Sequence, residues 1–259
     1  MIASVSALTS PAQASSYYET DDYYVDDGKS PSAWNGKGAE HLGMSGEVDR
    51  DVFQRMLEGQ IGGQQLGTYR QGELEHRPGW DVTLSAPKSV SIMAEVAGDR
   101  RLIEAHDAAV KVALSHVETH MAATRVRADG AVTREATANL VIASFQHGTS
   151  RAQDPQLHTH NVIMNATQTE DGTWRSLEPR AIYQLQKQIG AIYRQELAHQ
   201  VRAIRPGTPV ILYTGYGEDI AERELAAAGV RALAKKPVEP AELLALLTTH
   251  LQQNGNTPK

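Results

Sequence analysis

The stretches TANLVIASFQH (137 to 147) and QLHTHNVIMNA (156 to 166) constrain the fold of this 259-residue chain more than any others. Both are rich in β-branched and apolar residues, and a loop containing Gly, Ser, Asp and Pro separates them. That pattern predicts neighbouring antiparallel strands in the centre of a sheet. Strand alternation then sends His158 and His160 to one face, and His147, which closes the first stretch, can lie beside them. Three converging imidazoles form a metal site with coordination positions left open for a substrate. An isolated His-x-His pair in a strand more often packs than ligates; the third histidine and the apolar strands around it bring the two readings level, so both stand at this point.

The rest of the chain supplies layers for such a sheet. Residues 2 to 8 suit a first strand, and Ser10-Pro11 reads as the start of a helix running toward Tyr18. DDGKSPSAWNGKG (26 to 38) is rich in turn residues and reads as a loop, with a short helix from Glu47 to Leu57. WDVTLSAPKSVSIMAEV (80 to 96) begins as a strand carrying Asp81 and continues as a helix from Pro87, with Lys88 and Ser89 at its start. Leu102, Ile103, Val110, Ala113, Leu114, Val117 and Met121 follow helical spacing and predict a core helix over 99 to 123. A further helix opens at Pro179 and stops at Arg205-Pro206-Gly207. Beyond it the pattern turns to strand, helix, strand, helix, which places a boundary near residue 205. The fold class expected is α+β, a central antiparallel sheet flanked by helices, followed by a short C-terminal α/β segment.

Composition narrows the function. Without cysteine there are no disulfides and no thiolate ligands, so a metal must use histidine, carboxylate or carbonyl groups. No apolar run approaches the roughly 18 residues of a membrane span, and no signal peptide opens the chain, so no membrane insertion and a cytoplasmic location are expected. A net charge of −6 argues against a broadly basic nucleic-acid coat but leaves room for a local basic groove.

ASSYYETDDYY (14 to 24) holds two tyrosine doublets, Tyr17/Tyr18 and Tyr23/Tyr24. A phenol with its ordinary pKa near 10 is a poor nucleophile until a base or a metal-polarised target assists it. Beside three histidines, the doublets suit attack on a phosphodiester. Asp81 alone is more often a hydrogen-bonded turn residue than a catalytic one, and gains weight only from its surroundings. Lys88 and Ser89 at a helix start can meet a phosphate, although helix starts of this composition are common.

Four stretches together resemble the conjugative relaxases of the TrwC/TraI type, members of the HUH single-strand endonucleases: SSYYETDDYY, WNGKGAEHLGMSGEVD, WDVTLSAPKSVS and FQHGTSRAQDPQLHTHNVIMN. The resemblance runs from residue 1 to about 204. It implies that His147, His158 and His160 bind a divalent metal, and that Tyr17 and Tyr23 are the principal nucleophiles with Tyr18 and Tyr24 as substitutes. Asp81 would orient a metal-site histidine or take the phenolic proton, and Lys88, Ser89 and Arg151 would contact DNA. The implied reaction is transesterification on single-stranded DNA at a transfer origin, leaving a 5′ phosphotyrosyl link and a free 3′ hydroxyl. Implied partners are that DNA and other relaxosome or type IV secretion components. The family uses magnesium or manganese, whereas imidazole intrinsically prefers zinc or nickel, so the metal stays open.

Two departures from the family pattern stand out. Gly148 follows the first metal histidine where an acidic residue is usual. After Ile204 the chain resembles instead the last third of a response-regulator receiver domain, with Thr214 and Lys236 in place of its switch threonine and phosphate-site lysine. The phosphoacceptor aspartate has no counterpart, so phosphorylation is not expected. This divides the chain into a C-terminally incomplete catalytic domain, 1 to 204, and a partial receiver-like segment, 205 to 259. The expectation is an assembled site with a weakened grip on DNA. An inactive fragment that only holds single-stranded DNA, or a regulatory fusion, is the alternative.

Overall fold

In the computed structural model, residues 3–11, 31–128, 130–150, 152–214, 229–235 and 237–252 are described. Contacts divide the chain into two units, Met1–Arg194 and Gln195–Lys259. The main elements of the first unit, in chain order, are β1 (Ala3–Ala7), β2 (Ser32–Asn35), α1 (Arg50–Leu57), β3 (Gly79–Ser85), α2 (Arg100–Met121), β4 (Ala123–Ala128), β5 (Ala131–Ala136), β6 (Ile142–Thr149) and β7 (Pro155–Met164). Helix α3 (Gln186–Ile204) closes it and runs on into the second unit.

Five strands form the central sheet in the order β1-β3-β7-β6-β2, and every neighbouring pair is antiparallel. The two stretches richest in β-branched residues are therefore neighbours, with β7 in the middle. From Leu157 to Met164 every residue of β7 is buried, so both of its faces are covered. On one face Trp34, Phe53, Phe145, Val162 and Met164 share an apolar cluster, with the Phe53 and Phe145 rings edge-on at 5.2 Å between centroids. The 22-residue helix α2, capped by the Asp99 carboxylate, buries Leu102, Ala105, Ala109, Val110, Ala113, Leu114, Val117 and Met121. This is the helical spacing of apolar residues expected of it.

Among the segments that differ from the sequence reading are the following two. Within 26 to 38, Ser32–Asn35 is the edge strand β2 and Lys37–His41 a short helix. Turn residues set the local preference, but burial of Trp34 and pairing with β6 override it. The hairpin β4–β5 follows directly on α2, where the sequence reading placed no strand. Its alternating sequence around Asp129-Gly130 is a hairpin signal.

Gly79 is required where β3 begins. Its φ is +154°, and a Cβ there would lie 2.1 Å from the Ile163 carbonyl oxygen. Only glycine lets β3 approach β7 this closely at that point.

The second unit pairs β8 (Val210–Thr214) in parallel with β9 (Val230–Lys235), followed by α4 (Pro240–Gln252). Lys236 lies outside the described residues.

Candidate metal centre

The register of β6 against β7 sets His147 directly opposite His158, and Phe145 opposite His160. Alternation carries all three imidazoles to the same face. Their ring centroids are 5.0 to 5.4 Å apart, and one nitrogen of each lies within 4.8 Å of the others. Among the described residues this is the one group of three or more potential ligand side chains so close together. Each histidine is less than a tenth exposed.

Hydrogen bonds to the ring nitrogens fix how two of them face. His160 Nδ1 is 2.7 Å from Asp81 Oδ2, which also accepts from Thr83 Oγ1 at 3.1 Å. His158 Nδ1 is 2.8 Å from the Gln156 carbonyl oxygen and donates to it. With Nδ1 protonated, each ring keeps Nε2 as the lone-pair nitrogen that a metal needs. The third imidazole supplies the sharpest test of fit: His147 Nε2 is buried without any hydrogen-bond partner. A buried unpaired ring nitrogen is costly in a finished core and is accounted for if it is a ligand. The donor set, three neutral nitrogens with open positions, fits a divalent ion.

Electrostatics agree with a neutral His147. Burial, then the nearness of His160 and His158, pushes the His147 pKa down to about 4, with Asp81 pulling weakly the other way. On the reverse face of the sheet, burial carries His106 of α2 down to about 3. An unfolded chain has both near their ordinary 6.5, so on acidification it takes up protons first. Stability fully present above pH 6.5 is thus lost as the pH falls toward 4, by up to about 1.4 kcal/mol per pH unit for each histidine. Metal-free protein should show a lower urea midpoint at pH 5 than at pH 7; equal midpoints would mean that these rings stay neutral in the unfolded chain too.

Of the residues singled out from sequence, Asp81, His147, His158 and His160 come together here. Lys88 and Ser89 are exposed on the helical turn Lys88–Ser91, and Lys88 Nζ donates to the Pro155 carbonyl at 2.8 Å, at the start of the ligand strand. Tyr17, Tyr18, Tyr23, Tyr24 and Arg151 lie outside the described residues. Thr83 was not singled out from sequence, although its place two residues after Asp81 on a strand puts both on one face. His106, Thr159 and Tyr193 were missed as well: a histidine on an apolar helix face gives no signal of what it bonds to.

A family model described as TrwC relaxase matches residues 11–209. The multifunctional conjugation protein TraI of Escherichia coli strain K12 is 39% identical over 286 aligned residues, covering 97% of this chain and 16% of that protein. The chain thus spans about a sixth of the length of the curated relatives it matches. That match runs past residue 209 into the segment likened to a receiver domain. Among solved structures, the metal-bound conjugative relaxase TrwC in complex with oriT DNA is similar at a TM-score of 0.73 and 37% identity, covering 98% of this chain and 99% of that one. TrwC complexed with a 27-mer DNA comprising the recognition hairpin and the cleavage site is similar at 0.71 and 36%, covering 98% and 99%. A copper-bound TrwC structure matches at 0.73.

Proposed function

The chain belongs to the TrwC relaxase family, and from that premise we propose that it is a metal-dependent relaxase that nicks single-stranded DNA at a transfer origin by tyrosine transesterification. The observation that carries this reading is the His147, His158 and His160 cluster with its unpaired His147 nitrogen. These three residues would hold a divalent ion, magnesium or manganese in keeping with the family. When bound, such an ion supplies positive charge against the phosphoryl oxygens.

The chain's own groups do the rest. A tyrosine, Tyr17 for the first cut and Tyr23 for the second, attacks the scissile phosphorus through its phenolic oxygen. A tyrosyl O–P bond forms, the bond to the 3′ oxygen breaks, and the phenolic proton leaves while the 3′ oxygen gains one. The strand is left with a 5′ phosphotyrosyl link and a 3′ hydroxyl, and phosphoester energy is conserved for rejoining. Tyr18 and Tyr24 are substitutes. Asp81 is better suited to fixing the His160 ring than to serving as the base, since its Oδ2 is already engaged by His160 and Thr83. Lys88, Ser89 and Arg151 are proposed DNA contacts.

We assign the catalytic part to residues 1 to 204, followed by an α/β segment over 205 to 259. Among the described residues no helix is long and apolar enough to cross a membrane. Action in the cytoplasm, with other relaxosome or secretion components as partners, follows from the family's role in conjugation.

Incubation with Mn²⁺ and origin-bearing single strands should give a DNA adduct that survives denaturation. Tyr17→Phe should remove most of it, and phenylalanine at all four tyrosines should remove all of it. Salt-sensitive binding without an adduct from any strand would leave the alternative, a fragment that holds DNA without cutting it.

A further inference from the structure

Every second residue of the ligand strand faces away from the histidines. We propose that this reverse row, through the buried bond from Thr159 to His106, sets the position of the metal ligands, so that His106 and Thr159 are positioning residues of the metal centre. The proposal rests on the metal-site reading above.

Thr159 stands between His158 and His160 and is buried. Its Oγ1 is 2.7 Å from Nε2 of His106, and His106 Nδ1 is 2.6 Å from the Tyr193 hydroxyl. Both aromatic residues are fully buried, and burial holds the imidazole and the phenol neutral. A neutral imidazole has one donor and one acceptor, and two hydroxyls satisfy both with nothing left over. The next residue of the row, Asn161, is fully buried too. Its amide donates to the Val82 carbonyl at 2.8 Å, and its oxygen accepts from Ser144 Oγ at 2.8 Å. Ser144 Oγ in turn accepts from Asn35 at 2.9 Å.

A helix that merely covered the sheet would need only apolar contacts, which tolerate small slides and changes of twist. Hydrogen bonds are directional, and a buried group that loses its partner costs about 1–3 kcal/mol. A one-residue slip of β7 would bring Thr159 and Asn161 to the metal face and take one hydrogen bond each from His106 Nε2 and the Ser144 hydroxyl. Smaller shifts stretch the same bonds. The row therefore restrains β7 against β3 and β6, and with it the spacing of His158 from His147.

Paired substitutions at one position separate this role from packing. The amide of asparagine at 106 stands near the place of Nδ1 and that of glutamine near Nε2, so His106→Asn keeps the Tyr193 side and His106→Gln the Thr159 side. Mn²⁺ affinity is read from the loss of the free-ion EPR signal, and folding from circular dichroism and urea midpoints. His106→Asn and Thr159→Val should bind Mn²⁺ about tenfold more weakly, as when a hydrogen bond supporting a ligand is removed. His106→Gln, Thr159→Ser and Tyr193→Phe should stay within about twofold, even where their midpoints fall. Wild-type affinity in His106→Asn and Thr159→Val overturns the proposal, and so does His106→Gln binding as weakly as His106→Asn. If Thr159→Val does not fold, the two His106 variants decide alone. Wild-type protein that takes up no Mn²⁺ overturns the metal centre itself and this proposal with it.

Discussion

Replacing His160 with alanine is expected to weaken Mn²⁺ binding at least about a hundredfold, beyond the range for losing a single supporting hydrogen bond, and to bring adduct formation below detection. The change removes one of three ligands, and it does more. Asp81 Oδ1 already lacks a partner, and the loss of His160 takes the imidazole from Oδ2 as well, leaving that oxygen to Thr83. A buried carboxylate so weakly paired costs stability, on the order of 1–3 kcal/mol. Asp81→Asn is the graded comparison. It keeps the shape and a hydrogen bond to the ring while removing the charge, and should cost about tenfold in affinity. Isothermal titration of both variants checks the order; a His160→Ala protein that binds as tightly as Asp81→Asn would mean that His160 is not a ligand.

Gly79→Ala should destabilise the first unit by about 3 kcal/mol or more and lower metal affinity without touching a ligand. The added methyl group would stand 2.1 Å from the Ile163 carbonyl oxygen, at a φ of +154° that side-chain-bearing residues avoid. Backbone cannot yield as a flexible side chain does, so β3 must draw back from β7 where the two begin to pair. Asp81 lies two residues further along the same strand, and its 2.7 Å contact with His160 crosses this pair. Thermal or urea denaturation gives the first effect and Mn²⁺ titration the second. A stable variant with a weakened site would point to local rather than global damage, and no change in either would refute the close approach.

The histidine cluster was legible in the sequence because a strand's period of two is strict: once 137 to 147 and 156 to 166 are strands, His158 and His160 must share a face. Pairing of His147 with His158 followed from a short connection between antiparallel neighbours. Asp81 was legible only as a residue on some strand, since nothing local says that β3 docks beside β7. The short strand containing Trp34 was hidden by turn-forming neighbours, and its pairing is decided by burial of the indole. His106 was invisible for a deeper reason. Its apolar neighbours on α2 are accounted for by helical spacing alone, whereas its role depends on Thr159 and Tyr193, which are 53 and 87 residues away.

That difference in reach along the chain bears on how the centre comes into being during folding. All three histidines of the cluster fall between residues 147 and 160, on one hairpin, so bringing them together requires closing only a short loop. The bond from His160 to Asp81 spans 79 residues and must wait for β3 to dock. Convergence of the histidines is thus a local event, as is the bond that holds His158, while the bond that orients the His160 ring is a product of the finished tertiary structure. A nascent or partly refolded chain would hold its ion loosely on a bare hairpin, and tight coordination would report that the whole sheet has closed.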